Sequence, residues 1–302
     1  MARLPSMSDV KGRAMIAGLK LVPKNVMSRV AGHIAGVSLP GPLRRAQLRA
    51  FALTFGVDID EAKDPIESYR SVQEFFVRAL KEGARPIDSA PDAFVSPCDG
   101  SWGETGGIEG GTLFQVKGRP YSVASLLDDE EAARRFEGGS FATLYLSPRD
   151  YHRFHAPCAG RVLRADYVPG TLWPVNNAGI RHVHGVFAQN ERICAYLAPF
   201  EGNDEDLVCM VAVGATMVGK VRVNFDELAT NVRGVHRTTR TYDEVPPVLD
   251  KGEEWGRFEF GSTIVLLTTP GLIDLDAQPT ATKLVLGRRI GTLRAPSLQA
   301  QA

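Results

Sequence analysis

At about residue 94 the hydrophobic pattern of this chain changes period, and that change constrains its fold more than any other feature. Before it, Met15, Ile16, Leu19, Val22, Val26, Val30, Ile34 and Val37 recur three or four residues apart, the spacing of an amphipathic helix. Residues 7–37 are therefore predicted helical, punctuated by Pro23 and by Pro40-Gly41-Pro42. A second helix is expected over 43–55. A third is expected over 71–80, opening on Ser71-Val72-Gln73-Glu74 as a capping box. Beyond residue 94, short β-branched or aromatic runs alternate with Gly, Pro, Asn and Asp turns: 112–116, 141–146, 160–168, 192–197, 208–213, 218–223 and 256–268. One short helix, 125–136, interrupts them, and the polar stretch 225–252 reads as a long functional loop. The expected class is α+β: a mainly antiparallel β core preceded by N-terminal amphipathic helices.

Charge divides the chain at nearly the same place. The 302 residues carry no net charge, yet residues 1–57 hold nine Lys or Arg against the single acid Asp9. Such an imbalance calls for an anionic partner. Because the basic residues alternate with Leu, Val and Ile rather than with stacking aromatics, an anionic membrane surface fits better than nucleic acid. The alternative is a helix packed on its own domain with a solvated basic face. Composition, at 44% hydrophobic and 23% charged, is that of a globular chain, not a disordered one. Cys98, Cys158, Cys194 and Cys209 form no CxxC pair, which argues for reduced thiols and against a structural zinc site. No secretory signal is expected. The apolar uncharged run 207–219 has 13 residues and no uncharged run exceeds 14, short of the roughly 20 needed to span a bilayer.

Three short segments carry chemistry. Ser96-Pro97-Cys98-Asp99-Gly100 places an acid in a tight turn, which taken alone is an ordinary turn residue. Ser147-Pro148-Arg149-Asp150-Tyr151-His152-Arg153-Phe154-His155-Ala156-Pro157 holds two of the chain's six histidines. Imidazoles so placed can transfer protons near neutrality. They can also ligate a metal with His182 or His184, although the glutamate of the familiar zinc-protease helix is absent. Phe260-Gly261-Ser262-Thr263 sets a hydroxyl in an apolar strand, next to a glycine whose carbonyl a side-chain oxygen can approach without steric conflict. No Gly-x-Ser-x-Gly elbow surrounds it, so an α/β-hydrolase arrangement is disfavoured.

The histidine-containing string resembles the signature of the phosphatidylserine decarboxylases, pyruvoyl-dependent enzymes, in their shorter bacterial type. Phe260-Gly261-Ser262-Thr263 is similar to their self-processing site, where Leu more often precedes Gly-Ser-Thr. The likeness extends in order through Ser68-Tyr69-Arg70, Glu74-Phe75-Phe76-Val77-Arg78, Arg85-Pro86-Ile87-Asp88, Asp99-Gly100, Tyr167-Val168-Pro169-Gly170, Asn190-Glu191-Arg192 and Val213-Gly214-Ala215-Thr216. Cys98 stands where the family more often has Ala. The first 57 residues match only in being helical and basic.

By that resemblance Asp99, His155 and Ser262 form a self-cleavage triad. His155 takes the Ser262 proton and Asp99 orients the imidazolium. Scission between Gly261 and Ser262 yields a β chain, 1–261, and an α chain, 262–302, headed by a covalent pyruvoyl group derived from Ser262. That group condenses with the amine of phosphatidylserine as a Schiff base and acts as electron sink for decarboxylation to phosphatidylethanolamine. His152 is the expected acid/base of the decarboxylation half. Phe114, Tyr151 and Phe154 are expected pocket residues, and no metal is required. His236, Arg237 and Arg240 are candidates for head-group contact, or equally solvated surface. The resemblance further implies residues 1–68 as a membrane-associating segment, 69–302 as the catalytic domain, a peripheral place on the cytoplasmic membrane face, and a homodimer of αβ units. Competing readings are a zinc hydrolase using His152, His155 and His182 or His184, a pyruvoyl decarboxylase for a soluble amino acid, and a non-enzymatic membrane-binding module.

Overall fold

The computed structural model describes residues 7–20, 24–115, 119–216, 220–232, 236–259, 263–276 and 278–294. Its centre is an antiparallel sheet whose strands follow the spatial order Thr238–Thr241, Gly160–Val168, Arg192–Ala198, Val208–Val213, Thr263–Thr268, Ser140–Tyr145, Gly100–Gly107 and Lys283–Leu284. Val248–Leu249 pairs with the Gly160–Val168 strand as well. The middle strands read as unbroken apolar runs because both faces are covered. Ile264 and Leu266 enter one core with Trp102, Phe154 and Phe258, while Val265 and Leu267 enter another with Phe136, Phe141 and Phe187. Alternation of side chains across a strand requires this division. The α+β class expected from the sequence is the one found.

Two small sheets flank the centre. Ala93–Val95, Arg289–Leu293 and Ile273–Leu275 form one; Val221–Val223, Glu254–Phe258 and Arg153–His155 form the other. The expected strand over 256–268 is therefore two strands. The chain leaves the small sheet after Phe258 and enters the central sheet at Thr263.

N-terminal helices span Met7–Lys20, Lys24–Gly36 and Gly41–Phe55. Leu48 and Ala52 of the last pack with Ile66, Tyr69, Val72 and Phe75 in a separate small core. The helix expected over 71–80 is only Val72–Phe76. Ser71 caps it by accepting the Glu74 N–H, but the Glu74 carboxylate reaches back to the N–H of Arg70 instead of Ser71. Beyond Phe76 the backbone is claimed elsewhere, with the Lys81 N–H donating to the Glu61 carbonyl and Ala79 accepting from Lys63. The helix expected over 125–136 is split into Val123–Leu127 and Glu130–Arg134. Asp128 ends the first in a left-handed conformation, and the Asp129 side chain caps the second. Within 225–252, Thr238–Thr241 and Val248–Leu249 are strands at the sheet edge. Because the Thr238–Thr241 side chains stay largely solvated, the sequence there lacks the apolar alternation that marks a strand.

Candidate active site

Three chemistry-bearing segments meet at one end of the central sheet. Across that end Ser101 pairs with Tyr145, Tyr145 with Thr263, and Thr263 with Val213. Ser101 follows Asp99-Gly100, and Thr263 follows Gly261-Ser262. Ser101 and Thr263 therefore flank Tyr145. Gly100 makes this approach feasible: its φ is +148°, and a Cβ there would sit 2.2 Å from the Tyr145 carbonyl oxygen. The third segment is tied to both. The His155 N–H donates to the Pro97 carbonyl at 2.8 Å, and the Phe258 N–H donates to the His152 carbonyl at 2.9 Å.

Phe260, Gly261 and Ser262, the expected cleavage and cofactor positions, lie outside the described residues. Both their flanks are firmly held. The Glu259 carboxylate accepts from Gln73 Nε2 at 2.8 Å and from Arg222 Nε at 2.7 Å. Thr263 is fully buried, and its Oγ1 has no partner among the described residues.

The two histidines share a tautomer. His155 Nδ1 donates to the Gly252 carbonyl at 2.8 Å, and His152 Nδ1 donates to the Asp150 carbonyl at 2.8 Å. A carbonyl only accepts, so in the neutral ring each Nε2 carries the lone pair. The environments of these Nε2 atoms differ. The Tyr151 hydroxyl donates to that of His155 at 3.3 Å, and burial pushes the Tyr151 pKa up, keeping it a donor. His152 Nε2 is buried without a partner among the described residues. Its ring centroid lies 3.9 Å from that of Phe76. Burial, aided by the Arg78 charge and opposed by the Asp150 carbonyl, lowers the His152 pKa to about 3. Burial also lowers that of His155, against the Gly252 carbonyl and the Glu254 charge.

Asp99, 6% exposed, is held by groups other than His155. Arg85 Nε meets its two oxygens at 2.9 and 3.0 Å, Arg85 Nη2 lies at 2.7 Å, and the Leu286 N–H donates at 2.9 Å. The same guanidinium holds Glu61 through both terminal nitrogens, at 2.9 and 2.7 Å. Asp99 thus stands near His155 as a charge, which favours its imidazolium through space.

Sequence reasoning assigned no role to Arg85, Glu61 or Arg78. Arg78 and Arg85 stand inside the family-like strings, but spacing cannot tell which carboxylate an arginine meets fourteen residues away. Tyr151 lines a cleft of about 610 Å³ with Asp99, Arg85 and Arg78. The other two expected pocket residues do not. Phe154 packs between Trp255 and Phe258 in the core, and Phe114 is exposed on the hairpin formed by Thr112–Gln115 and Arg119–Ser122. Arg237 spends its charge on Asp128 and Asp129. Thr238–Thr241 is four strands from Thr263, roughly 19 Å at the usual strand spacing. For the zinc reading, no group of three His, Cys, Asp or Glu side chains able to hold a metal converges among the described residues.

A family model described as phosphatidylserine decarboxylase matches residues 72–292. A phosphatidylserine decarboxylase proenzyme of Anaeromyxobacter sp. (strain K) is 46% identical over 266 residues, covering 87% of this chain and 92% of that protein. One from Myxococcus xanthus (strain DK1622) is 40% identical over 276 residues, covering 91% and 96%. Another from Brevibacillus brevis is 38% identical over 289 residues, covering 94% and 100%. The matched span contains every segment that converges at the sheet end, and on both grounds the chain belongs to the phosphatidylserine decarboxylase family.

Proposed function

We propose that this chain is a self-processing enzyme that converts phosphatidylserine to phosphatidylethanolamine and carbon dioxide, using a pyruvoyl group made from its own Ser262. The observation that carries the proposal is the register Ser101–Tyr145–Thr263 together with the His155–Pro97 backbone bond. It brings the Asp99 turn, the histidine segment and the residue after Ser262 to one sheet end.

For processing, His155 Nε2 accepts the Ser262 hydroxyl proton, and the hydroxyl oxygen attacks the Gly261 carbonyl, exchanging an amide for an ester. Elimination of that ester frees the Gly261 carboxylate on a chain of residues 1–261. The dehydroalanine left at position 262 takes up water and loses ammonia. Arg85 holds Asp99 in place, and the Asp99 charge favours the imidazolium at His155.

The surroundings fit a pyruvoyl group. Two buried polar atoms, His152 Nε2 and the Oγ1 of Thr263, the residue after Ser262, have no partner among the described residues, as suits a place that receives a reacting polar group. When present, the ketone supplies an electron sink for the pair left as carbon dioxide departs. His152 handles the proton at the substrate Cα. An anionic substrate raises its proton affinity when it enters.

The helices before residue 57 dock on the cytoplasmic membrane face. On Lys24–Gly36 the residues Val26, Val30 and Ile34, four apart, are all exposed, and Leu53 on Gly41–Phe55 is 83% exposed. No helix among the described residues is long and apolar enough to cross a membrane. An exposed apolar stripe beside basic residues suits the interface plane. In this reading the first 68 residues form the membrane segment, 69–302 the catalytic domain, and the processed unit pairs as a homodimer of αβ units. Sedimentation analysis tests the last point, and a single αβ mass argues against it.

Denaturing mass spectrometry of purified active material tests the core of the proposal. The expected result is two polypeptides, 1–261 and 262–302, the smaller lacking a free amine at its first residue. Active material consisting of one intact 32.8 kDa chain overturns it.

A further inference from the structure

We propose that Arg78 anchors the phosphodiester of the lipid head group, with Lys283 and Arg288 completing the anion site at the rim of the cleft. The inference deepens the decarboxylase reading and rests on it. Arg78 is 4% exposed. Its Nη2 donates to the carbonyls of Arg149 and Asp150 at 3.2 and 3.4 Å and its guanidinium lies over the Phe75 ring, 5.3 Å from the centroid, while Nε and Nη1 are buried with no hydrogen-bond partner among the described residues. An arginine stays charged at any accessible pH, and buried donors left unmatched are costly. Such a residue belongs where a ligand completes its bonding.

The other charges of the cleft have partners, Asp58 only a backbone one in the Asp60 N–H. Arg85 is shared between Glu61 and Asp99, and Asp150 accepts from Ser147 through its N–H and hydroxyl and lies 3.9 Å from Arg149. Arg78, Lys283 and Arg288 line the same cleft and have no ion-pair partner among the described residues. Its volume, about 610 Å³, lies within the range of small-ligand sites. Tyr151 belongs to this cleft and donates to His155 Nε2, so an anion at Arg78 lies beside the proposed catalytic pair. Gly56 and Asp58, directly after the Gly41–Phe55 helix, line it too, setting the cleft against the segment proposed to rest on lipid.

The head group offers two anions, and chemistry selects one. An arginine clamped on the carboxylate stabilises the ground state, and that contact is lost as carbon dioxide leaves, so it opposes the reaction. A phosphodiester keeps its charge throughout. Its paired oxygens match the guanidinium fork.

The test is calorimetric titration of the full-length Ser262→Ala chain with soluble glycerophosphoserine, glycerophosphoethanolamine, inorganic phosphate and L-serine. Both glycerophospho compounds are expected to bind, and L-serine far more weakly. Arg78→Lys should weaken glycerophosphoserine about tenfold. The exposed-site changes Lys283→Gln and Arg288→Gln, which spare the core, should weaken it about threefold each. Binding of inorganic phosphate equal to that of both glycerophospho compounds reduces the site to a generic anion trap and overturns the head-group assignment. So does L-serine binding as tightly as glycerophosphoserine, or binding indifferent to all three substitutions. Assays on the otherwise wild-type chain separate the two claims. If it decarboxylates phosphatidylserine and the rim variants leave KM unchanged, the anchor fails alone. If it never decarboxylates while the Arg78-dependent binding stands, the activity reading fails.

Discussion

His152 and His155 sit three residues apart and share a tautomer, yet their surroundings fit them for different tasks. His155 Nε2 is in reach of a hydroxyl donor and within the field of Asp99. His152 Nε2 is buried without a partner among the described residues, its ring against Phe76 and within the field of Arg78. His155→Ala and Ser262→Ala are therefore expected to remain single chains on denaturing gels. His152→Ala should be cleaved but lose decarboxylation, by about a hundredfold or more as for a general acid. A cleavage-dead His152→Ala contradicts this division. Burial also sets an acid limit. With a folded pKa of about 3 against an ordinary 6.5, His152 is neutral in the fold, while the unfolded chain takes up a proton below 6.5. Its contribution to stability is thus complete above pH 6.5 and drains away between 6.5 and 3, and His155 acts in the same direction. Melting temperature should fall over that window, and less steeply in His152→Phe; an unchanged slope contradicts the assignment. Arg85→Ala leaves Asp99 buried without its cation and should cost about 3 kcal/mol in denaturant titration, slowing cleavage as well.

At the level of elements, the informative feature is a strand that changes sheets. Glu254–Phe258 belongs to a small sheet and Thr263–Thr268 to the central one, so in sequence the proposed scissile bond falls between two strands of different sheets. Gly100 lets its own strand close against Tyr145, the residue that pairs with Thr263. Gly100→Ala drives a Cβ into the Tyr145 carbonyl at a positive φ and should cost on the order of 3 kcal/mol. Purified variant should show that loss in urea unfolding together with retarded cleavage. On the Lys24–Gly36 helix, Val30→Asp with Ile34→Asp places charge on the exposed stripe. Co-sedimentation with vesicles containing anionic lipid should drop by about tenfold or more, and soluble processing should be untouched.

For the molecule as a whole, scission after Gly261 would separate two polypeptides that remain woven together. The strand Thr263–Thr268 lies between Ser140–Tyr145 and Val208–Val213, and Arg289–Leu293 pairs with Ala93–Val95. Val265 and Leu267 fill one core, Ile264 and Leu266 the other. All four cysteines are free and buried, so noncovalent packing must hold the pieces. The two chains are expected to co-elute on native gel filtration and to part only in denaturant. Spontaneous loss of the smaller chain in dilute buffer contradicts that expectation.

Local pattern carried much of this in advance. The period change near residue 94, the apolar runs of the central sheet and the basic helical start depend only on neighbouring residues, so the α+β class and most strands were legible. The short string from Ser147 to Pro157 and the Gly261-Ser262-Thr263 tripeptide identified the candidate chemistry for the same reason. What pattern could not supply was pairing at a distance. Nothing local says that Arg85 bridges Asp99 and Glu61, that the His155 Nδ1 goes to Gly252, or that Arg78 is buried with spare donors. The polar edge strand Thr238–Thr241 stayed hidden because its identity comes from ladder hydrogen bonds to residues some 75 positions earlier. Backbone propensity and side-chain period are written residue by residue, whereas charge pairing and burial exist only once remote segments share one solvent-free space.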